Sequence, residues 1–118
     1  VLIGTDAPAG SGVQPNGILR MVTLLASLGG LPAEQAICMA TGNTARRRKL
    51  DAGLLAAGYP ADLLFLDKPQ HSAGRDVLDA MVLGDIPGIG MVVIDGIVRT
   101  GRSRSTPPSH TAPVVLAS

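Results

Sequence analysis

Apolar residues follow several different rhythms along this chain, and each predicts a different element. Val1-Leu2-Ile3 is a continuous apolar run that stops at Gly4-Thr5. Over residues 1–5 it reads as a strand of the kind buried on both faces in a parallel sheet. From about Asn16 to Leu28 the rhythm becomes helical, with Ile18, Met21, Val22 and Leu25 recurring at i, i+3, i+4 and i+7. Leu19, Leu24 and Leu28 widen that stripe, so the helix is expected to be deeply packed, and Gly29-Gly30 ends it. Pro32 suits the first turn of a second helix, with Glu34 near its positive end. Ala33, Ala36, Ile37 and Ala40 give that helix a narrow face of small side chains, and Thr41-Gly42 breaks it. Asn43 is expected to cap a third, short helix whose last turn carries Arg46, Arg47, Arg48 and Lys49.

After Leu50 the rhythm shortens. Leu63-Leu64-Phe65-Leu66, bounded by Asp62 and Asp67, predicts a strand, and a helix is expected over about 76–83. Residues 91–94 and 97–100 flank Asp95-Gly96, a strong signal for a two-residue hairpin. From Gly101 the chain turns to Arg, Ser, Thr and Pro, and this extended tail reads as an ordered strap over a neighbouring surface. There is no internal repeat. A helical first half followed by short strands and turns places a boundary near residue 50.

Composition narrows the class. With 118 residues and 46% hydrophobic content, the chain can bury a real core, which must be aliphatic because it has one Phe, one Tyr and no Trp. A net charge of +1 argues against nucleic acid as the main partner, since phosphate binding needs a basic face. No apolar run approaches the roughly 18 residues of a membrane span, and no charged segment leads into an apolar one as in a signal peptide. The expectation is a cytoplasmic protein with neither nucleic acid nor membrane as partner.

Most candidate chemistry dissolves on inspection. Gly10-Ser11-Gly12 begins like a dinucleotide fingerprint, but Pro15 stands where its third Gly belongs, and no P-loop lysine motif occurs. Ser11 lacks the G-x-S-x-G context of a nucleophile elbow. Cys38, the one cysteine, is expected to be an inert core thiol, and it cannot form an internal disulfide. His71 and His110 lie in Pro- and Ser-rich stretches and read as exposed bystanders, too far apart for a metal-binding pair. The four basic residues at 46–49 read as a solvated helix end. Asp6 is different: a carboxylate directly after a buried strand, ahead of a loop of small residues, sits where barrel enzymes place catalytic groups. Its alternative reading is a turn former or helix cap.

Three stretches together add context to Asp6: GTDAP at 4–8, AICMATGNTAR at 36–46 and AGYPADLLFLD at 57–67. In that order and spacing they resemble the C-terminal portion of the amidohydrolase superfamily of metal-dependent hydrolases. GDIPGIGMVVIDG at 84–96 and STPP at 105–108 narrow the resemblance toward members that hydrolyse a cyclic amide or enamide. It covers nearly all of residues 1–110.

The resemblance implies an α/β fold: the C-terminal part of a (β/α)8 TIM barrel, its last strand and helices, plus part of a small β-sandwich. Residues 1–50 would end the barrel, with 1–5 as the eighth strand and the helices at 16–28 and 32–50 closing its wall. Residues 51–104 would be part of the composite sandwich, where Ala61-Asp62-Leu63 and the Asp95-Gly96 hairpin are structural. Residues 105–118 would be an extended tail. About seven strands of the barrel would lie outside this segment.

The resemblance also implies Asp6 as metal ligand and as the catalytic base that takes a proton from water and passes it to the leaving nitrogen. The loop at 7–13 would line the substrate pocket, with Ser11 and Gln14 as polar contacts and Asn43 capping a helix. The complete enzyme would carry a divalent metal, zinc and/or iron. Such enzymes hold it with an HxH pair on the first strand, a Lys or acidic bridging ligand and two later histidines, none of which has a counterpart here. The isolated segment is therefore expected to hold no metal and to be inactive, since one carboxylate is fewer than the three protein ligands of a catalytic zinc. Expected partners are the remainder of the parent chain, a small cyclic amide substrate and further copies in a homo-oligomer. The alternative is a non-catalytic truncated fragment serving as a scaffold or self-associating domain.

Overall fold

The computed structural model describes residues 1–4 and 16–116. Its elements run α1 (Gly17–Leu28), α2 (Ala33–Ala40), α3 (Gly42–Arg48), β1 (Leu63–Asp67), α4 (Val77–Val82), β2 (Gly88–Ile94) and β3 (Ile97–Thr100). The helices pack on one another, and the three strands pair into one sheet.

In α1 the buried residues are Val22, Thr23 and Ala26, one turn of a single face. Met21 and Leu25 pack against the core at its edge, whereas Ile18, Leu24 and Leu28 are exposed. The buried stripe is thus narrower than the apolar pattern predicts. The reason is the partner: α2 presents Ala33 and Ala36, whose small side chains let two helices approach closely but cover little area. The remaining space is filled by Met81 of α4, which is fully buried among Ile3, Val22, Ala26, Ala33 and Ala36. A helix from the second half of the chain therefore completes the core of the first.

α4 has only six residues, too few to hold itself together, and its caps are correspondingly well made. Asp76 accepts a hydrogen bond from the Asp79 amide at 2.8 Å, and Asp79 in turn accepts one from the Arg75 amide at 2.9 Å.

Three expectations for the first half are corrected. The described residues 1–4 form no strand: the Ile3 amide donates to the Met39 carbonyl at 3.2 Å, Ile3 is buried, and Val1 and Leu2 are exposed. A parallel-sheet strand exists only beside other strands, and the nearest described neighbour is the end of α2. Asn43 does not cap α3, because that helix already begins at Gly42 with Thr41 as its N-cap residue, and the Thr41 hydroxyl donates back to Ile37 at 2.9 Å. Cys38 is exposed, not a core thiol. It lies about 200° around α2 from Ala36, so the packing that buries Ala36 turns the thiol outward.

The strands form an antiparallel meander in the order β1-β2-β3, with Phe65 opposite Met91 and Val93 opposite Val98. Asp95 and Gly96 both adopt positive φ, 54° and 74°, as a type I′ turn demands. The turn is tied to the approach to β1: Asp62 accepts from the Asp95 amide at 2.8 Å, and the Gly96 amide donates to Ala61 at 3.0 Å. One face of β2 is buried through Ile89, Met91 and Val93, while β3 is exposed along its length.

The strap crosses this sheet. The Ser103 amide donates to Ile89 at 2.9 Å, and the Ile89 amide donates to the Thr106 hydroxyl at 3.0 Å. Further along, Gln70 donates to Pro108 at 3.0 Å and His110 to Lys68 at 2.8 Å, both through backbone groups. β2 starts three residues before the apolar run suggests because Gly88 and Ile89 pair with Asp67 and Leu66 of β1. Gly88 carries no side chain because a Cβ there would sit 2.5 Å from the Cα and N of Ser109.

Candidate active site

The residues singled out by sequence, Asp6, Ser11 and Gln14, lie outside the described residues. The described structure supplies the two ends of the stretch that carries them. At the upstream end Gly4 follows Ile3, whose side chain is in the helical core and whose amide is bonded to Met39. At the downstream end Asn16 stands immediately before α1 in a left-handed conformation, φ 59°. Its carbonyl accepts from the Arg20 amide at 2.9 Å, starting the helix, and its side-chain amide donates to the Ser105 carbonyl at 2.7 Å.

The other candidates stay apart. His71 and His110 are both exposed. His71 Nε2 lies 3.8 Å from an Asp85 carboxylate oxygen, and His110, on the strap, donates its backbone amide to the Lys68 carbonyl. Shallow surface depressions occur beside Cys38, lined also by Glu34, Gln35, Met39 and Asn43, and beside the basic residues Arg46, Arg47 and Lys49. Neither assembles a nucleophile with a base. Among the described residues no group of three or more His, Cys, Asp or Glu side chains comes together. They do not constitute a site for a divalent metal.

One carboxylate is strongly engaged. Asp67, at the end of β1, accepts from both the hydroxyl and the amide of Thr111, the amide contact being 2.8 Å. It also accepts from the Lys68 amide at 2.7 Å. Its pKa is lowered first by the Thr111 hydroxyl, against a partial desolvation that acts the other way, with the two backbone amides and the His110 charge adding to the lowering. The Asp79 carboxyl is likewise lowered, chiefly by the Arg75 amide. Asp67 is a clasp for the strap, a role that its place at a strand end does not reveal in sequence. The Asn16–Ser105 contact was equally hidden, because its partners are 89 positions apart.

Residues 1–98 match the amidohydrolase family, and the chain belongs to that family. Enamidase from Eubacterium barkeri is 44% identical over 116 residues, which cover 98% of this chain and 30% of that protein. The crystal structure of enamidase, described as a new member of the amidohydrolase superfamily, superposes with a TM-score of 0.89 at 44% identity, over 94% of this chain and 29% of that one. Adenine deaminase from Klebsiella pneumoniae strain 342 is 38% identical over 73 residues, 61% of this chain and 12% of that protein. The chain thus spans under a third of the length of enamidase, and its mixed helices and strands belong to the TIM-barrel type of fold of that superfamily. Amidohydrolases are generally metal-dependent. No helix among the described residues is long and apolar enough to cross a membrane.

Proposed function

We propose that this chain is the C-terminal part of a metal-dependent amidohydrolase that hydrolyses the C–N bond of a cyclic amide or enamide. What carries the reading is 44% identity with enamidase along 98% of the chain, joined to a TM-score of 0.89. Residues 1–50 are then the last strand and closing helices of a (β/α)8 barrel, 51–104 part of a composite β-sandwich, and 105–118 its tail. In this setting residues 1–5 become a strand once the neighbouring strands of the parent chain pair with them.

Asp6 stands at the C-terminal end of that strand, where barrel enzymes place their chemistry. Its carboxylate takes a proton from the attacking water, whose oxygen adds to the amide carbonyl carbon. The C–N bond breaks, and the proton is returned to the leaving nitrogen, giving a carboxylic acid and a free amine. Ser11 and Gln14 contact the substrate. The divalent metal, zinc and/or iron, belongs to the complete enzyme, in which the rest of the parent chain supplies its other ligands; the 118-residue segment alone is inactive. The setting is cytoplasmic, the assembly a homo-oligomer, and neither nucleic acid nor membrane is a partner.

A second reading, a non-catalytic fragment that self-associates, is favoured by the large apolar side chains left in water, Leu28, Leu55 and Leu116 among them, each at least 80% exposed. Turnover of a cyclic enamide by the complete protein separates the two. In that protein Asp6→Asn is expected to lower turnover at least about 100-fold with the circular dichroism unchanged. Turnover within about tenfold of the parent, a loss under about 1.4 kcal/mol, would refute the assignment of Asp6. Absence of any turnover, with stable oligomers of the segment in sedimentation, would favour the second reading.

A further inference from the structure

Among the described residues, the clasp of Thr111 on Asp67 is the last polar hold on the strap. Ala112 and Pro113 still pack on the sheet, where a Cβ at Gly90 would stand 3.3 Å from Ala112 Cα and Pro113 Cδ. Beyond them Val114, Val115 and Leu116 are 80%, 63% and 85% exposed. They belong to no helix or strand, and among the described residues none of them makes a backbone hydrogen bond. An uncharged, β-branched apolar run with free backbone groups is ready to become a strand once an edge receives it. The sheet has such an edge. β3 is bonded to β2 on one side, and no described strand lies along the other. All four of its residues are exposed, Ile97 at 53% and Val98 at 43%, and Ile94, opposite Ile97, is 48% exposed. An apolar edge of this kind pairs with an extended segment unless charge or cover prevents it. Arg99 narrows the choice of occupant: two β3 strands side by side would crowd two guanidinium groups onto one four-residue seam, where like charges repel. Val114–Leu116 brings no charge.

We infer that residues 114–116 of one copy add as a fourth strand to the outer edge of β3 in a second copy, and reciprocally, so that the exchange closes a two-fold dimer. The area supports a reciprocal contact. At these exposures Val114, Val115 and Leu116 with Ile94, Ile97 and Val98 bury on the order of 650 Å² per copy, about 1,300 Å² for the pair, within the roughly 1,200–2,000 Å² of stable interfaces. A single exchange buries about half of that and falls below the range. The inference rests on the homo-oligomer proposed above and names its contact.

The test is sedimentation velocity of the complete protein over a range of concentrations, with circular dichroism of each variant as the check on folding. Val114→Asp combined with Leu116→Asp puts charge into the seam on side chains that already face water, so the fold is spared. It is expected to raise the dissociation constant of the dimer at least about 100-fold, since two apolar anchors are lost. Ile97→Lys, on the receiving edge, is expected to weaken association by a similar factor. An equimolar mixture of the two variants regains an exchange, because the intact tail of one meets the intact edge of the other. Its dissociation constant is expected at least about tenfold below that of either variant alone. Variants that associate as tightly as the parent, or a mixture no tighter than its components, overturn the inference. If the parent is oligomeric in that case, the homo-oligomer stands and this contact alone falls. A parent that is monomeric at every concentration overturns both.

Discussion

Replacing Gly88 by alanine tests how the strap is held. The added Cβ would lie 2.5 Å from both Cα and N of Ser109 and 2.7 Å from the Pro107 carbonyl oxygen. All three are backbone atoms, so no side chain can swing aside, and the strap itself must move. Overpacking of this kind costs about 1–3 kcal/mol. A strap displaced at Ser109 also strains the adjoining bonds from Gln70 to Pro108 and from His110 to Lys68, at 3.0 and 2.8 Å, each worth about 1 kcal/mol net. A total near 2–4 kcal/mol raises the population of undocked strap by about 30-fold to several hundred-fold. Limited trypsin digestion reads that population when opening is fast relative to cleavage. Arg104 is exposed, but cleavage after it requires the flanking residues, docked through Ser103 and Thr106, to leave the sheet. Gly101→Ala is the control, since a Cβ there meets nothing within 4 Å. The reasoning is refuted if cleavage after Arg104 in Gly88→Ala stays within about threefold of the parent, or if Gly101→Ala accelerates it equally.

Met81→Ala is expected to cost about 2–5 kcal/mol in urea unfolding, because a fully buried side chain leaves a cavity where α4 enters the helical core; a loss under about 1 kcal/mol would mean that α4 is not docked there. Thr23→Val should stabilise by about 1 kcal/mol, since the Thr23 hydroxyl is buried with no hydrogen-bond partner and the two side chains are nearly the same shape; destabilisation would show that the hydroxyl is satisfied. Asp67 has a folded pKa below its unfolded value of about 3.9, so its contribution is complete above that value and lost as pH falls through the folded one. The stability gap between the parent and Asp67→Asn should therefore be widest near pH 6 and close below about pH 4, and a gap constant from pH 6 to 2.5 would exclude the Thr111 clasp as its cause.

Much of this architecture was legible because it depends on neighbours in sequence. The 3.6-residue spacing of Met21, Val22 and Leu25 places α1, the small face of Ala33 and Ala36 places α2, and Asp95-Gly96 dictates a hairpin whatever surrounds it. Asp6 could be singled out, and the family recognised, from short stretches whose residue types are constrained locally. What the chain could not disclose were pairings across long separations. Whether residues 1–4 are a strand depends on what lies beside them, and whether Cys38 is buried depends on which face of α2 meets a partner. Met81 in the core of the first half, Asp67 clasping Thr111 and Asn16 reaching Ser105 all join residues more than forty positions apart. A periodic pattern states that a side chain has a buried face; only the folded chain decides what fills the space opposite, because burial and hydrogen bonding are properties of a pair and sequence lists its members one at a time.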